Sequence, residues 1–249
     1  MQTMSDLTVA PLANVFICSR ALETLLNRKP HLPGLACFYG PAGYGKSFSI
    51  SYTARKYGAY TVAAKSHWTR KALRTGILRA MELVPERSLD LMAEQACRCL
   101  NESGRALIID EFDHLANRGT GYIELLRDIL DESQAAVLLV GENTLPDKLR
   151  RWQRFYSRIL TWAEARPLSH EDGLLLARLY CGEIALEDDL LEAMLKKVKS
   201  ARLMAVNLEL AQATARNLGL TQIGLKAWNG RDFYVGDVVT RRRTCMERN

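Results

Sequence analysis

The stretch GPAGYGKS, Gly40–Ser47, constrains the fold of this chain more than any other part of the sequence. It fits the pattern G-x-x-x-x-G-K-[ST] and lies between an apolar run at 34–39 and a segment of helical character that begins at Lys46. Glycines at these positions let the backbone turn so that its N–H groups face phosphate oxygens, and a helix start adds positive partial charge. The stretch therefore predicts a strand, a phosphate-binding loop and a helix in succession.

This loop predicts ATP and Mg²⁺ as ligands. Lys46 is expected to reach the β- and γ-phosphates and to assist the chemistry, and the Ser47 hydroxyl is expected to coordinate Mg²⁺. The bulky Tyr44 has no evident purpose in the sequence alone. We expect the nucleotide to contact the loop and the start of the helix, that is, Gly40, Pro41, Ala42, Gly43, Tyr44, Gly45, Lys46, Ser47 and Phe48.

A second motif, ALIIDE at 106–111, is an apolar run that ends in two carboxylates. At the end of a buried strand, Asp110 would hold Mg²⁺ and Glu111 would polarise the attacking water as a general base. The alternative is an ordinary buried strand with polar residues at its exit, and the phosphate-binding loop makes hydrolysis the better interpretation. His114, three residues after Glu111, is expected to be a packing or solvent residue rather than a metal ligand.

The apolar run at 135–141 also ends in polar residues. A polar side chain there would lie between the two carboxylates and the γ-phosphate, where it could position the attacking water. From strand register we assign this catalytic role to Asn143, with Glu142 and Thr144 as the alternatives.

Strand and helix patterns alternate along the first two thirds of the chain, which predicts an α/β fold with a mainly parallel sheet flanked by helices. The predicted strands are 34–39, 59–64, 105–111 and 135–141, and the predicted helices are 20–29, 46–56, 69–83, 88–103, 121–132 and 146–156. After 165–172 the strand pattern stops, and three helices are predicted at 170–182, 187–199 and 202–217. We therefore expect an α/β nucleotide-binding domain at 1–166, a small all-helical lid at 167–220 and a basic tail at 221–249, with a short strand or hairpin near 232–239.

The formal charge of +6 is uneven, with 22 basic and 17 acidic side chains in residues 1–166 and an acidic excess in 167–220. A basic surface favours an anionic partner, and nucleic acid is the first candidate. Six cysteines without paired spacing indicate reduced thiols. The sequence has no apolar run long enough to span a bilayer and no signal-peptide pattern, so we expect a cytoplasmic protein with no membrane partner.

The segment 63–80 is the most informative basic region. Basic side chains beside a helix start suit contact with DNA phosphates, and the alternative is an exposed helix whose charges only keep it soluble. Trp68 could stack on bases, although a tryptophan between a strand and a helix is more often part of the core. The run TRRR at 240–243 is a second candidate contact. The expected DNA-binding residues of the segment are Lys65, Trp68, Thr69, Arg70, Lys71 and Arg74.

Residues from about 12 to 218 resemble the AAA+ ATPases, and within them the bacteriophage Mu B-type transposition proteins. The segments that carry the resemblance are NVFICSRALETLL, GPAGYGKS, LIIDEFDHL, VLLVGEN, DKLRRWQRFYSRI and RPLSHED. The resemblance implies an ATPase that binds double-stranded DNA without sequence specificity, assembles on it as a filament or ring of identical subunits, and activates a transposase. For a phage- or transposon-encoded protein, the compartment would be the cytoplasm of the bacterial host.

The resemblance also implies roles for single residues. Arg158 would contact the γ-phosphate of the neighbouring subunit, with Arg154 and Arg151 as alternatives on the same face of one helix. Arg202 would sense ATP from the lid, and Val15 would contact adenine.

Two other functions remain open from the sequence. One is a helicase-loader or insertion-sequence helper ATPase in replication or recombination. The other is a nucleotide-gated scaffold that binds protein rather than DNA.

Overall fold

The computed structural model describes residues 12–236. Within this range the backbone forms two compact units, which divide between Leu168 and Ser169. The first unit contains the phosphate-binding loop at 40–47 and the polar residues that follow the apolar runs at 106–111 and 135–141.

Helices and strands alternate in the first unit. Its strands are β1 (Leu35–Tyr39), β2 (Tyr60–Ala63), β3 (Leu107–Asp110), β4 (Val137–Gly141) and β5 (Ile159–Glu164). Its helices are α1 (Ala13–Leu26), α2 (Lys46–Tyr57), α3 (Arg70–Ala80), α4 (Leu89–Ser103), α5 (Asp113–Ala116), α6 (Thr120–Ser133), α7 (Leu145–Arg150) and α8 (Gln153–Tyr156).

The five strands form one parallel sheet in the order β2-β3-β4-β1-β5. Tyr39 lies opposite Gly141, and Ala63 lies opposite Asp110, so the strands end at nearly the same level. Because β4 lies between β3 and β1, the phosphate-binding loop after β1 and the carboxylates after β3 meet on either side of the end of β4. Ligands of open parallel sheets bind at this edge.

Both faces of the sheet are covered. Leu35 and Cys37 of β1 belong to the core cluster that contains residues of α3, α4 and α6, whereas Ala36 and Phe38 belong to the cluster with residues of α1 and α2. All four side chains are fully buried. Burial on both faces explains why these strands read as continuous apolar runs, and the predicted α/β class is confirmed.

The edge strand β5 was not predicted. It pairs with β1 and has no further neighbour in the sheet, and five of its six residues are half-buried. The sequence ILTWAE therefore lacks the continuous apolar run that identified the other four strands.

The helix predicted at 146–156 is wrong in its middle, because α7 and α8 are separated at Arg151 and Trp152. Trp152 has φ −108° and ψ 69°, outside the helical region. Its indole N–H donates to the carbonyl of Ala116 (3.3 Å), and its ring packs against the larger core cluster. This tertiary contact overrides the helical periodicity, so the three arginines 151, 154 and 158 do not share one helix face.

The second unit is mostly helical. It contains α9 (His170–Tyr180), β6 (Ala185–Leu186), α10 (Asp188–Lys197), α11 (Ala201–Leu218), β7 (Gln222–Ile223) and α12 (Leu225–Trp228). The three predicted helices are present, and the short parallel pair β6–β7 departs from the expected all-helical lid. Ser169 caps α9 with a reciprocal capping box, and Ser200 caps α11.

Residues after α12 are fastened to this unit. The buried amide of Asn207 accepts from the N–H of Tyr234 and donates to its carbonyl, both at 2.8 Å. The rings of Trp228 and Phe233 stack at 5.5 Å. Residues 232–236 contain no strand, and the remainder of the predicted hairpin and the run 240–243 lie outside the described residues. Between residues 12 and 236 no helix is both long and apolar enough to cross a membrane.

Candidate active site

The phosphate-binding loop adopts a conformation that requires its glycines. Gly43 has φ +82° and Gly45 has φ +79°, in the left-handed region that side chains with a Cβ rarely occupy. A Cβ on Gly40 would lie 2.7 Å from the Cβ of Ala165, at the end of β5. The loop is therefore held close to the carboxyl end of the sheet.

Lys46 lies inside this loop rather than pointing into solvent. Its Nζ donates to the carbonyls of Gly40 (2.6 Å) and Pro41 (2.9 Å). Burial lowers the pKa of Lys46, and the nearby carboxylates of Asp110 and Glu142 act in the opposite direction. The ammonium group therefore lies within the loop, and its contact with the β- and γ-phosphates stays a prediction.

The Ser47 hydroxyl lies 3.2 Å from Oδ2 of Asp110, so the two predicted Mg²⁺ ligands are adjacent. Hydroxyl and carboxylate oxygens are the hard donors that Mg²⁺ prefers, with water and phosphate oxygens completing its shell. Among the described residues no group of three or more His, Cys, Asp or Glu forms a metal site. The residues present therefore fit Mg²⁺ bound together with ATP.

Burial and hydrogen bonds have opposite effects on the pKa of Asp110. Burial raises its pKa, while hydrogen bonds from the Glu111 N–H (2.8 Å) and from Ser47 favour the carboxylate. A half-buried carboxylate of this kind is stabilised by a cation placed against it.

Glu111 has an unusual backbone. Its φ is +58°, a left-handed conformation that is uncommon outside glycine, and such strain is concentrated at functional sites. Its carboxylate is paired with Nε2 of His114 at 2.9 Å. His114 is partly exposed and contacts the predicted base, and the expectation that it is not a metal ligand stays a prediction.

Asp113 is a site residue that the sequence analysis missed. Its nearly buried carboxylate accepts from the main-chain N–H of Glu142 (2.5 Å) and from Nζ of Lys148 (2.9 Å). These bonds fix the turn after β4 against the helix that follows β3. The repeated acids of DEFDH were the available signal, but a third acid near two catalytic ones is not in itself specific.

Asn143 follows Glu142 in this turn and is exposed. It follows β4, the strand between β3 and β1, and its role in positioning the water stays a prediction. The carboxylate of Glu142, like that of Asp110, opposes the effect of burial on the pKa of Lys46.

Asn14, at the start of α1, connects the loop to the end of β5. Its side-chain amide donates to the carbonyls of Tyr44 and Arg166, and its carbonyl oxygen accepts from the N–H of Arg166, each at 2.8 Å. Tyr44 packs against the smaller core cluster, which gives this bulky residue a structural purpose. Val15, the predicted adenine contact, is buried beside Asn14 with 2% exposure.

Arg158, the predicted trans-acting arginine, has a partner in its own subunit. Its guanidinium forms a bidentate pair with Asp131 (2.9 and 2.7 Å) and donates to the carbonyl of Arg154. The alternatives Arg151 and Arg154 are exposed and form no ion pair within residues 12–236. Both line a pocket of about 500 Å³ between α6 and the α7–α8 break, together with other basic and aromatic residues: Arg127, Arg150, Trp152 and Phe155.

The basic segment, residues 65–74, lies between β2 and the first turn of α3. Lys65, Arg70 and Lys71 are exposed, and the Thr69 hydroxyl caps α3 by accepting from the N–H of Ala72 (3.2 Å). Arg70 and Lys71 place two positive charges in the first turn of α3, where they oppose the helix dipole. This placement disfavours the helix and favours a bound anion. Stability alone therefore does not account for their placement.

Two of the predicted DNA contacts, Trp68 and Arg74, are only partly exposed to solvent. The indole of Trp68 packs so closely on α3 that a Cβ on Gly76 would lie 2.6 Å from it, which supports packing rather than base stacking. Arg74 is half-buried, and its Nε has no hydrogen-bond partner among the described residues. Burial, followed by the neighbouring Arg70, lowers the pKa of Arg74.

The basic segment is attached to the helices that follow the carboxylates. Arg118 donates through Nη1 to the carbonyls of Ser66 (2.6 Å) and Trp68 (2.9 Å), and the Tyr122 hydroxyl donates to Trp68 (2.7 Å). The predicted ATP sensor Arg202 lies exposed in the first turn of α11, in the second unit, and its role stays a prediction.

Three solved structures resemble this chain at 19% identity each. Cdc6p from Pyrobaculum aerophilum has a TM-score of 0.58, with coverage of 84% of this chain and 62% of that one. The ORC1 protein of Aeropyrum pernix, solved in complex with DNA, has a TM-score of 0.55 and coverages of 86% and 62%. Domain III of the replication initiation protein DnaA from Thermotoga maritima has a TM-score of 0.55 and coverages of 89% and 92%.

At this identity the likeness is one of fold, and this chain spans less than two thirds of the Cdc6p and ORC1 chains. No curated protein sequence matches it. Residues 29–149 match the family model described as an AAA domain, and they contain the phosphate-binding loop and both carboxylates. Residues 29–149 are therefore similar to AAA domains, and the parallel sheet flanked by helices has the α/β P-loop NTPase fold.

Proposed function

We propose that this protein is an ATP-hydrolysing AAA+ ATPase that assembles on double-stranded DNA and acts on a DNA-processing partner. The observation that carries the ATPase part is the 3.2 Å contact between Ser47 and Asp110, with Lys46 in the loop beside it and Glu111 next in the chain. These side chains are of the types that bind Mg²⁺-ATP and activate water in phosphoryl transfer, which supports the proposal.

Different residues of the chain would bind the phosphates, orient the water and accept its proton. Backbone N–H groups of the loop and Lys46 hold the phosphates, and Asn143 or Glu142 orients the attacking water. Glu111 accepts the proton of that water as it attacks the γ-phosphorus, and the bond to the β–γ bridging oxygen breaks. Bound Mg²⁺, held by Ser47 and Asp110, supplies neutralisation of the phosphate charge.

DNA binding is proposed from the basic segment. Its exposed cations surround a capped helix start, and contacts of this kind read the phosphate backbone without sequence preference. The likeness in fold to ORC1, which was solved in complex with DNA, supports DNA as the partner.

ATP turnover tests the first part of the proposal. Glu111→Gln should bind ATP and accumulate stable DNA complexes while losing turnover, and Lys46→Ala should lose ATP binding itself. Normal turnover in Glu111→Gln would remove Glu111 as the base.

Two partner classes are supported by different observations. The segment resemblance to Mu B-type proteins favours a transposase, whereas the fold likeness to Cdc6p, ORC1 and DnaA favours a replication-type partner. Electron micrographs with DNA and a non-hydrolysable ATP analogue separate them. Filaments whose length follows that of the DNA favour the transposition role; their absence, together with binding to a replicative helicase, favours the loader. Absence of DNA binding in any nucleotide state would leave a protein-binding scaffold.

A further inference from the structure

One peptide group at the end of β4 is hydrogen-bonded on both sides. The carbonyl of Gly141 accepts from the N–H of Gly40, the first residue of the phosphate-binding loop, at 3.3 Å. The N–H of Glu142, in the same peptide group, donates to Oδ2 of Asp113 at 2.5 Å. The turn that begins here carries the residues proposed to orient the attacking water. Its first peptide group is therefore fixed between the phosphate-binding loop and α5.

Gly141 provides the space for this approach. A Cβ on Gly141 would lie 2.0 Å from Oδ2 of Asp113 and 2.7 Å from Cδ2 of Leu145. The φ of Gly141 is not positive, so its backbone conformation does not call for glycine. The glycine that ends the apolar run at 135–141 is therefore needed because a carboxylate lies against it.

Lys148 in α7 holds the other oxygen of the same carboxylate. Its Nζ lies 2.9 Å from Oδ1 of Asp113, and the two side chains are only 20% and 10% exposed. A pair with so little contact with water is weakly screened, and removing one partner leaves an uncompensated charge. The neighbouring pair of Arg150 and Asp147 is 68% and 73% exposed, and pairs of that kind contribute little. The buried pair, unlike the exposed one, can therefore hold a fixed geometry.

The position of this turn matters because water activation is sensitive to geometry. A group that activates or orients the water must lie within hydrogen-bond distance of it. Displacement of such a group by about 1 Å can lower the rate about 10²-fold. The phosphates, in contrast, are assigned to the loop and Lys46. Loss of the bond between Asp113 and the turn should therefore affect turnover more than ATP affinity.

We infer that Asp113 and Lys148 are positioning residues for ATP hydrolysis, which fix the peptide group between Gly141 and Glu142 and thereby the turn that orients the attacking water. The inference rests on the proposed function, because it takes residues 142–144 as the source of the orienting side chain. Both residues act through the main chain of this turn, and neither is assigned a contact with the nucleotide.

The first test compares kcat and ATP affinity. Asp113→Ala should lower kcat by about 10²-fold while the dissociation constant for ATP stays within about threefold of wild type. Asp113→Asn, whose amide oxygen still accepts from the N–H of Glu142, should recover most of the lost kcat. The matched control Asp147→Ala removes an exposed acid one residue before Lys148 and should change neither quantity. Weakened ATP binding with wild-type kcat would assign Asp113 to nucleotide binding and overturn the inference.

A double variant separates positioning from stability. Asp113→Ala leaves the ammonium group of Lys148 without its partner, so this protein should unfold at a lower denaturant concentration than wild type. Asp113→Ala with Lys148→Met removes both charges and should regain much of that stability. It still lacks the acceptor for the N–H of Glu142, so its kcat should remain low. Recovery of kcat together with stability would make the pair structural only and overturn the inference.

The main-chain amide of Glu142 provides a readout that does not depend on turnover. A hydrogen bond to a shielded carboxylate protects an amide proton from exchange with solvent. This protection should be lost in Asp113→Ala and retained in Asp113→Asn and Asp147→Ala. Retained protection in Asp113→Ala, or its wild-type kcat beside an inactive Glu111→Gln, would overturn the inference and leave the proposed function standing. Turnover by Glu111→Gln would instead remove the proposed function.

Discussion

The side-chain amide of Asn14 donates a 2.8 Å hydrogen bond to the main-chain carbonyl of Tyr44, thirty residues later in the phosphate-binding loop. The same amide group exchanges two further hydrogen bonds with the main chain of Arg166. Asn14 is 5% exposed, and its three hydrogen bonds are at least partly shielded from water. A single residue thus fixes the loop relative to α1 and to the end of β5.

Asn14→Ala should therefore lower both stability and ATP affinity. Three partly buried main-chain groups lose their side-chain partner, which should cost roughly 1–3 kcal/mol of the free energy of unfolding. Displacement of the loop should weaken ATP binding by roughly tenfold or more, equivalent to about 1.4 kcal/mol. Denaturant unfolding and ATP titration measure the two effects.

The matched control is Asn101→Ala, which removes an exposed asparagine of α4 and should change stability by no more than about 0.5 kcal/mol. A stable Asn14→Ala protein with wild-type ATP affinity would show that the loop holds its shape without α1.

The carboxylate of Asp110 should lower the stability of the nucleotide-free protein and strengthen the binding of Mg²⁺-ATP. Its folded-state pKa is raised above the ordinary value of 3.8, so the folded protein binds the proton more tightly than the unfolded chain does. Stability is then lost as pH rises from the ordinary value through the raised one, and the full loss is present at neutral pH. Asp110→Asn should accordingly be more stable than wild type at neutral pH without nucleotide, by about 0.5–2 kcal/mol, and should bind Mg²⁺-ATP more weakly.

Thermal unfolding as a function of pH checks the sign of this effect. The advantage of Asp110→Asn should shrink as the pH falls toward 3.8, whereas the exposed control Asp232→Asn should track wild type throughout. A loss of stability at neutral pH would mean that the hydrogen bonds to the carboxylate outweigh its burial.

The sequence was sufficient to predict those parts of the site whose chemistry depends on short-range pattern. Glycines, Lys46 and Ser47 follow from one loop, and Asp110 with Glu111 follows from an apolar run that ends in acids. Asn14 and Arg118 could not be predicted, because each acts through main-chain carbonyls far along the chain, and any residue supplies a carbonyl. The break at Trp152 and the edge strand β5 were missed for a related reason, since tertiary packing rather than local periodicity determines them.

Arg158 must leave Asp131 before it can contact a neighbouring subunit. Arg158→Ala should then keep ATP binding and lose turnover by about 10³-fold, while Asp131→Asn, which only frees the arginine, should retain turnover. Mixing Arg158→Ala with Lys46→Ala subunits should restore part of the activity, because each mixed interface can combine one intact loop with one intact arginine.

Arg154→Ala, tested in the same mixture, distinguishes the two arginines, since Arg154 lines the pocket beside α6 and has no such carboxylate partner within the described residues. If Arg158→Ala and Asp131→Asn lose the same small amount of stability and both keep full turnover, the pair is structural and the trans role passes to Arg154.

The salt dependence of DNA affinity tests the basic segment most directly. Each phosphate contact that is lost should reduce the slope of log K against log salt by about 0.9, so Lys65→Ala with Lys71→Ala should flatten it by roughly 1.8 and leave ATP binding intact. The matched pair Lys196→Ala with Lys197→Ala removes two exposed lysines of α10 and should leave the slope unchanged. Because the two double variants carry the same net charge, a difference between their slopes locates the contact, and equal slopes would move the DNA surface away from residues 65–74.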